Sequence, residues 1–378
     1  MKCKRCNNED PTYFYKGHKG YYCRKCIRFS RVLLMEDLNS LDYDINLGVE
    51  EYNFSYSLTD KQIQASNKCL QYLKDNNDIL LYCVCGAGKT EIVIASIAYY
   101  LARGLRVCYA ISRKEVVIEL EKRFKTIFPK ANVVAVYGGH HNIIIGDLIV
   151  CTNHQLYRYY QTFDLLILDE VDAFPLKGNE TLMNVSLNAC AGNVIFSSAT
   201  IDNNLRNVLK NRKYKKVELF VRPSFLPMVI PKIIIINKYL SILCLFVLLK
   251  KMKRQCIIFV SSKKICRNLY YIFHKLYSIT YVYSDLDKRQ ENIDDFKNKK
   301  YQFIISTTVL ERGITISDID VIILDYDHIF DQSNLIQMLG RINRGLTTNE
   351  GKAYIFTASL DKKIIETIKY LRKANSYL

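Results

Sequence analysis

The stretch CVCGAGKT at residues 83–90 lies between the apolar run Ile79–Tyr82 and a helical pattern of apolar residues. A buried strand that turns through glycines into a helix lets backbone N–H groups approach phosphate oxygens, and the helix dipole favours negative charge there. Lys89 adds a mobile cation, and the Thr90 hydroxyl can ligate Mg²⁺. The other candidate nucleotide contacts in this turn are Gly86, Ala87 and Gly88. The pattern predicts an ATP-binding loop within an α/β fold.

Short apolar runs alternate with helical patterns in two groups along the chain. Such runs are typical of strands that are buried on both faces of a parallel sheet. The first group is Ile79–Val84, Val107–Ile111, Val133–Val136, Leu148–Cys151, Leu165–Leu168 and Val194–Phe196. The second group is Ile233–Ile236, Cys256–Val260, Ile279–Tyr283, Phe303–Ser306, Val321–Leu324 and Ala353–Phe356. We therefore expect two tandem α/β domains with parallel sheets that form a cleft.

The domain boundaries follow from chain length and from three prolines. At 378 residues the chain is long enough for two domains and a small appendage. Pro223, Pro227 and Pro231 interrupt any helix between the two groups of strands. We predict an N-terminal module with a connector at 1–50, a first domain at 51–222, a linker at 223–231 and a second domain at 232–378.

An acidic pair, Asp169 and Glu170, follows the strand pattern Leu165–Leu168. Ligands of α/β sheets bind at the carboxyl ends of strands, beside the phosphate loop. We expect Asp169 to hold Mg²⁺ and Glu170 to orient and deprotonate the attacking water. A glycine-rich turn or an acidic pair alone also occurs without nucleotide, and the combination of the two is what favours an ATPase.

Three further segments resemble motifs of superfamily 2 helicases, whose two domains are RecA-like. The first is Ser198-Ala199-Thr200, to which we assign coupling between the ATP and nucleic-acid sites. The second segment contains Gln337, Arg341 and Arg344 on a predicted helical stretch, from which the arginines would reach the γ-phosphate. The alternative is that these residues form a solvated basic face of a helix. The third is Gln62, which resembles the adenine-reading glutamine of these motors, although an exposed glutamine is common by chance.

Polar residues follow several strands in both predicted domains. Proteins bind the phosphate backbone of nucleic acids through hydroxyl, N–H and cationic donors rather than through groups that recognise bases. The candidate contacts are Arg113, Lys114, Gly138, Gly139, Thr152, Ser261, Thr307 and Thr308, and Gly313 in the same motif as the last two is a candidate for coupling. A helix cap or turn is the alternative for each residue. The 28 tyrosines offer stacking platforms for unpaired bases without singling one out.

Two CxxC pairs, Cys3/Cys6 and Cys23/Cys26, flank a polar loop near the N-terminus. Four thiolates at this spacing can close tetrahedrally on one Zn²⁺ and leave no open coordination position. We therefore predict one structural zinc ion that folds and docks the module. The remaining cysteines lie singly in apolar runs or in the phosphate loop, and we expect them to be reduced.

Composition and charge narrow the class of protein. The chain is 49% hydrophobic and carries a formal net charge of +17, which favours a polyanion or an anionic surface as partner, although a coding bias toward Lys and Tyr would have the same effect. The N-terminus has no apolar core of a secretory signal, so we expect a cytosolic protein. The run Tyr239–Leu249 is too short to cross a bilayer, which takes about 20 residues, and we predict a buried helix there.

The order of these motifs resembles the ComFA family of late-competence ATPases. The resemblance covers nearly the whole chain and is carried by the four cysteines, CVCGAGKT, DEVDAFP, SSAT, TTVLERGIT and QMLGRINRG. It implies an ATP-dependent translocase of single-stranded DNA that lies at the inner face of the membrane and works with the companion protein ComFC at the competence channel. A duplex-unwinding DNA or RNA helicase and a zinc adaptor with a silent ATPase core remain alternatives.

Overall fold

The computed structural model describes residues 1–45, 52–54, 56–311, 316, 318–343 and 351–378. The chain forms two compact units: unit 1 contains residues 1–83 and 89–219, and unit 2 contains residues 84–88 and 220–378. The finer boundaries given above remain a prediction. Two of the predicted site residues, Gly313 and Arg344, lie outside the described residues.

The N-terminal part of unit 1 contains a small antiparallel hairpin. Strand β1 (Phe14–Gly17) pairs with β2 (Gly20–Cys23), and short 3₁₀ helices at Pro11–Tyr13 and Ile27–Phe29 flank them. The prediction of a polar loop between the two cysteine pairs was therefore wrong. Gly20 has a φ of 122°, which permits the tight turn that joins the strands.

The rest of unit 1 is a seven-stranded parallel sheet with helices on its faces, as predicted. The strands are β3 (Asp78–Cys83), β4 (Val107–Ile111), β5 (Val133–Val136), β6 (Leu148–Thr152), β7 (Phe163–Leu168), β8 (Cys190–Ser198) and β9 (Tyr214–Leu219). The helices are α1 (Asp60–Lys74), α2 (Lys89–Leu101), α3 (Lys114–Ile127), α4 (Glu180–Leu187) and α5 (Asn203–Lys210), with a 3₁₀ helix at Asn153–Arg158. The strand order is β5-β6-β4-β7-β8-β3-β9.

Strand β9 is the one strand of this sheet that the sequence pattern did not predict. Its sequence, YKKVEL, carries three charged residues, and only Val217 and Leu219 are buried. Because β9 lies at the edge of the sheet, it needs no continuous apolar run, and charged side chains protect the open edge.

Unit 2 contains a six-stranded parallel sheet in the order β10-β15-β14-β11-β13-β12, which confirms the second predicted α/β domain. Its strands are β10 (Lys232–Ile235), β11 (Gln255–Val260), β12 (Ile279–Val282), β13 (Phe303–Ser306), β14 (Ile319–Leu324) and β15 (Ala353–Thr357). Its helices are α6 (Lys238–Lys251), α7 (Lys263–Phe273), α8 (Arg289–Lys297), α9 (Gln332–Leu339) and α10 (Lys362–Asn375), with a 3₁₀ helix at Thr308–Leu310.

Helix α6 is more exposed than the sequence predicts. The run Tyr239–Leu249 is helical, but only Ser241, Leu245 and Leu249 are buried. These residues are four apart and form a single stripe against the sheet, so the opposite face of the helix is exposed. Within the described residues, no helix is both long and apolar enough to span a bilayer.

Candidate functional site

The phosphate loop joins β3 to α2, in the context that the sequence predicts. Gly86 and Gly88 have φ values of 82° and 83°, a left-handed conformation that L side chains rarely adopt, so both positions favour glycine. Helix α2 begins at Lys89, which places Lys89 and Thr90 in its first turn. Ala87 lies in the turn between the two glycines and is fully buried. The N-terminus of α2 therefore has the form of an anion-binding site.

Asp169 lies at the end of β7 within unit 1 and is buried. Its Oδ1 accepts hydrogen bonds from Ser197 Oγ at 2.6 Å and from the Glu170 N–H at 2.9 Å. Its Oδ2 accepts a hydrogen bond from Tyr109 Oη at 2.7 Å, and Thr90 Oγ1 is 3.4 Å from the same phenol oxygen. The two predicted Mg²⁺ ligands, Thr90 and Asp169, therefore both lie next to the Tyr109 hydroxyl.

Electrostatics at this carboxylate are set by burial and by Lys89. Burial raises the pKa of Asp169, and the charge of Lys89 is the largest influence that opposes the rise. Burial also raises the pKa of Tyr109 well above its usual range, so the phenol keeps its proton and donates a hydrogen bond to the carboxylate. A buried carboxylate held by three donors beside a lysine has the oxygen chemistry that Mg²⁺ prefers. The residues therefore fit a metal–phosphate site.

Asp172 is a site residue that the sequence analysis missed. Its Oδ2 accepts a hydrogen bond from Thr200 Oγ1 at 2.7 Å, which joins the segment after β7 to the segment after β8. Ser198 Oγ also donates to the Thr200 carbonyl, so the three predicted coupling residues Ser198 to Thr200 form one turn with buried Ala199 inside it. The repeated acidic residue three positions after Asp169 was the available signal.

Gln62 is held in a helix cap rather than extended into solvent. Thr59 is the N-cap of α1, and Gln62 Oε1 accepts a hydrogen bond from the Thr59 N–H at 3.0 Å. Gln62 is buried. The side chain therefore has a structural role, and its contact with adenine remains a prediction.

Unit 2 places Arg341 and Asn334 in contact with Glu311, and Gln337 is buried on α9. Arg341 is buried, and its Nε donates to the Glu311 carbonyl at 3.1 Å. Asn334 on α9 donates to the Glu311 carboxylate at 3.0 Å. Among the described residues, the buried amide nitrogen of Gln337 has no hydrogen-bond partner. The predicted helical stretch was wrong in one respect: α9 ends at Leu339, so Arg341 lies in a turn after the helix.

Arg222 was also not predicted as a functional residue, and unlike Asp172 it has no sequence signal. It is buried in unit 2 and donates to four carbonyl oxygens: Nε to Cys85 at 2.9 Å, Nη1 to Ile342 at 2.6 Å and to Asn343 at 3.4 Å, and Nη2 to Gly340 at 3.1 Å. Charge-assisted bonds of this kind are about twice as strong as neutral ones. Arg222 therefore ties the phosphate loop to the turn that contains Arg341.

The predicted nucleic-acid contacts of unit 1 lie at one edge of its sheet. Arg113 and Lys114 follow β4, Gly138 and Gly139 follow β5, and Thr152 ends β6; these strands are neighbours. The Lys114 ammonium lies 4.9 Å from the ring centroid of Tyr137, which joins two of the segments directly. A Cβ added at Gly138 would meet no heavy atom within 4 Å, so this position has unoccupied space around it.

The candidate contacts of unit 2 also follow neighbouring strands. Ser261 comes after β11, and Thr307 and Thr308 come after β13. Ser261 Oγ donates to Asp327 at 3.2 Å, while Ser262 caps α7. The helix-cap alternative therefore applies to Ser262 and not to Ser261. The nucleic-acid role of these residues remains a prediction.

The four N-terminal cysteines form one cluster. Sγ of Cys3 lies 3.8 Å from Sγ of Cys26, and Sγ of Cys6 lies 3.7 Å from Sγ of Cys23. All four sulfur atoms lie within 4.8 Å of one another, and all four side chains are buried. Zinc–sulfur bonds of about 2.3 Å in a tetrahedron separate the sulfurs by about 3.8 Å. The cluster therefore fits a structural zinc ion.

Comparison with known proteins agrees with these arrangements. Residues 55–203 match the family described as Type III restriction enzyme, res subunit, and residues 237–345 match the Helicase conserved C-terminal domain. The Competence protein ComFA of Streptococcus pneumoniae is 32% identical over 389 residues, which cover 99% of this chain and 90% of the relative. The chain belongs to the ComFA family. The ComFA of Bacillus subtilis is 29% identical, over 99% of this chain and 85% of the relative.

Solved structures show the same fold at low sequence identity. S. cerevisiae Dbp5 bound to RNA and ADP BeF3 has a TM-score of 0.57 at 19% identity, and covers 85% of this chain and 92% of that chain. The Mycobacterium smegmatis helicase Lhr bound to ssDNA and AMP-PNP has a TM-score of 0.58 at 15% identity, over 82% of this chain and 48% of that chain. The sheets described above are therefore two RecA-like domains.

Membership of the ComFA family, together with both helicase matches, makes this chain an ATP-hydrolysing enzyme of superfamily 2 that binds nucleic acid. ATP and Mg²⁺ are the nucleotide and the metal that its helicase domains use. The matches to both ComFA relatives cover 99% of the chain and so extend beyond its two helicase domains.

Proposed function

We propose that this ComFA-family enzyme uses ATP to translocate single-stranded DNA during competence, and so draws transforming DNA across the cytoplasmic membrane. The observation that supports this proposal most is the match to two competence proteins over 99% of the chain, from the four cysteines to the second helicase domain. A resemblance confined to the helicase domains would have favoured no particular motor.

The chemistry of the first domain follows from the contacts around Asp169. Lys89 binds the β- and γ-phosphates, and Thr90 and Asp169 hold Mg²⁺, with Tyr109 and Ser197 orienting the carboxylate. Glu170 orients the attacking water and accepts its proton. Asp172 senses the state of this site through its hydrogen bond with Thr200.

In the second domain, Gln337, Arg341 and Arg344 contribute donors to the γ-phosphate, as the motif implies. The buried amide nitrogen of Gln337, which lacks a partner among the described residues, supports a ligand-binding role for this segment. The strand-end residues of both sheets bind the phosphate backbone, so the affinity for nucleic acid falls steeply as salt rises.

The deciding experiment compares steady-state ATP hydrolysis with single-stranded DNA, double-stranded DNA and RNA at one stated salt concentration. We expect single-stranded DNA to stimulate hydrolysis most. Lys89→Ala and Glu170→Gln should abolish the stimulation while DNA binding persists, because neither residue lies among the proposed backbone contacts. Stimulation by RNA alone, or full activity of either variant, would refute the proposal.

A duplex-unwinding helicase would use the same two domains, and a strand-displacement assay distinguishes it from a translocase. We expect the enzyme to displace no strand from a blunt-ended DNA or RNA duplex under conditions in which single-stranded DNA stimulates ATP hydrolysis. A silent ATPase core predicts no hydrolysis with any polymer.

The proposed partners are a ComFC-type companion protein and the competence channel, with the enzyme bound peripherally at the inner face of the membrane. These partners come from the family alone. Co-purification of the tagged enzyme with ComFC, and its release from membranes by high salt rather than by detergent, are the expected results. An enzyme that does not co-purify with ComFC and that is found entirely outside the membrane fraction would contradict these expectations.

A further inference from the structure

The first 31 residues are far more basic than the rest of the chain. They contain nine Lys and Arg residues and two acidic residues, which is a formal net charge of +7 out of +17 for the whole protein. A coding bias would spread basic residues along the chain, so it does not explain this concentration. The N-terminal module is therefore an electropositive surface.

One face of the hairpin combines aromatic and cationic groups. Tyr15 lies directly opposite Tyr22 in the register of β1 and β2, so both side chains project from the same face. The Arg24 guanidinium lies 4.2 Å from the ring centroid of Tyr15, and the Arg31 guanidinium lies 4.6 Å from that of Tyr22. Tyr15 is still 45% exposed. Unpaired bases stack on such tyrosine rings and on guanidinium planes, while the charges attract phosphate.

The module is fixed to the first domain beside a predicted backbone contact. Thr152 ends β6, and the 3₁₀ helix Asn153–Arg158 begins at the next residue. Tyr157 in this helix stacks on Phe29 of the module, with ring centroids 5.7 Å apart. The helix has six residues and spans about 12 Å, so the module lies within about two turns of Thr152 along the chain.

A cavity of about 260 Å³ lies at the same junction and is lined by residues from both sides. Its charged lining residues are Arg5, Arg31, Arg158 and Glu36. Arg31 thus belongs both to this cavity and to the hairpin face. Arg31 and Arg158 therefore place cationic side chains both at the hairpin and at the 3₁₀ helix that follows Thr152.

We infer that the face formed by Tyr15, Tyr22, Arg24 and Arg31 is a binding site for single-stranded nucleic acid, which extends the track of the first domain onto the zinc module. This inference rests on the proposed function, since it assumes that a strand runs past Thr152. Zinc holds the hairpin in place, and the hairpin itself makes the contacts. Stacking supplies affinity that is independent of base sequence.

The test compares two double variants of the full-length protein that differ only in the face they change. Tyr15→Ala/Arg24→Ala removes one ring and one charge from the proposed site. Lys16→Ala/Tyr21→Ala removes the same groups from the opposite face of the hairpin, because Lys16 pairs with Tyr21 in the register. Zinc content and thermal unfolding of both variants establish that the module remains folded.

Binding of a long and a short fluorescent oligothymidylate is measured at one salt concentration. For the long strand, we expect the Tyr15→Ala/Arg24→Ala variant to bind about tenfold more weakly than the wild type, because loss of one base–aromatic stack weakens binding by about five- to 150-fold. The control variant should lose about threefold or less. The short strand, which fills the domain track alone, should bind all three proteins about equally.

Equal losses in the two variants, or no loss in either, would overturn the inference and indicate that the module's face binds a protein partner or acts through net charge alone. Hydrolysis stimulated by single-stranded DNA in the wild type separates this result from failure of the proposed function. If the wild type shows no such stimulation, the motor proposal fails first.

Discussion

The side chain of Asn188 holds the N-terminal four-cysteine module against the first domain, and its removal should release the module. Asn188 Nδ2 shares its two hydrogens among the carbonyl oxygens of Lys4 and Arg5 at 3.0 Å each and Asn7 Oδ1 at 3.1 Å, and Asn188 Oδ1 accepts a hydrogen bond from Asn7 Nδ2 at 3.4 Å, so the side chain makes about three bonds to the module. Asn184, one turn earlier, makes a single such bond, to the Cys6 carbonyl at 3.1 Å. The two asparagines therefore form a matched pair that differs in the number of bonds to the module.

The expected magnitude follows from this difference. A net hydrogen bond contributes about 0.5–1.5 kcal/mol, so Asn188→Ala should cost about 3 kcal/mol of docking free energy and Asn184→Ala about 1 kcal/mol. These values correspond to increases of about 150-fold and about fivefold in the population of the undocked module. The C-terminal end of α4 should tolerate alanine at either position.

Transfer of zinc to a chromogenic chelator measures the undocked population. All four cysteines are buried, so a chelator reaches the metal only when the module opens. At a fixed chelator concentration we expect transfer from Asn188→Ala to be much faster than from Asn184→Ala, and transfer from Asn184→Ala to be slightly faster than from the wild type. Equal rates in the two variants would refute the reasoning, provided that the thermal unfolding of both matches the wild type.

Three other changes test separate parts of the structure. Tyr109→Phe removes one hydrogen bond to Asp169 without changing shape, so the Mg²⁺ concentration for half-maximal ATP hydrolysis should rise about tenfold, as measured by magnesium titration. Gly192→Ala would place a Cβ 2.1 Å from a carbonyl oxygen of the neighbouring strand and should lower the free energy of unfolding by about 1–3 kcal/mol in denaturant titrations, whereas Gly138→Ala should leave it unchanged. Cys3→Ala should lower zinc content from about one equivalent and unfold the N-terminal module while nucleotide binding persists, which metal analysis and a fluorescent ATP analogue would show.

The sequence predicted the central strands well because those strands are buried on both faces. Strands such as β4 and β13 are fully buried, and their apolar runs begin and end where hydrogen bonding does. Edge elements were harder to predict. The charged strand β9 and the tyrosine-rich hairpin each expose one face, so neither shows a continuous apolar run.

Local motifs predicted Thr90 and Asp169 at one site but not Tyr109 and Ser197, which hold the Asp169 carboxylate. They also predicted the cysteine cluster, whose sulfur separations fit one tetrahedral ion. No sequence motif indicated the contacts between segments that are distant along the chain. Asn188 and Arg222 act on carbonyl oxygens, which every residue has, so nothing in the partner segment marks the contact. The end of α9 before Arg341 falls at Gly340, the glycine of the motif, which is the C-cap of the helix.

The long chain separation across the zinc-module contact has a consequence for synthesis on the ribosome. The contact between Lys4 and Asn188 joins residues 184 positions apart, whereas the four cysteines all emerge early. At about 5–20 residues per second, about 10 to 40 s pass between the two events. The metal site can therefore close long before its docking surface exists. Zinc supply during translation, rather than after release, should decide how many newly made chains acquire a folded N-terminus.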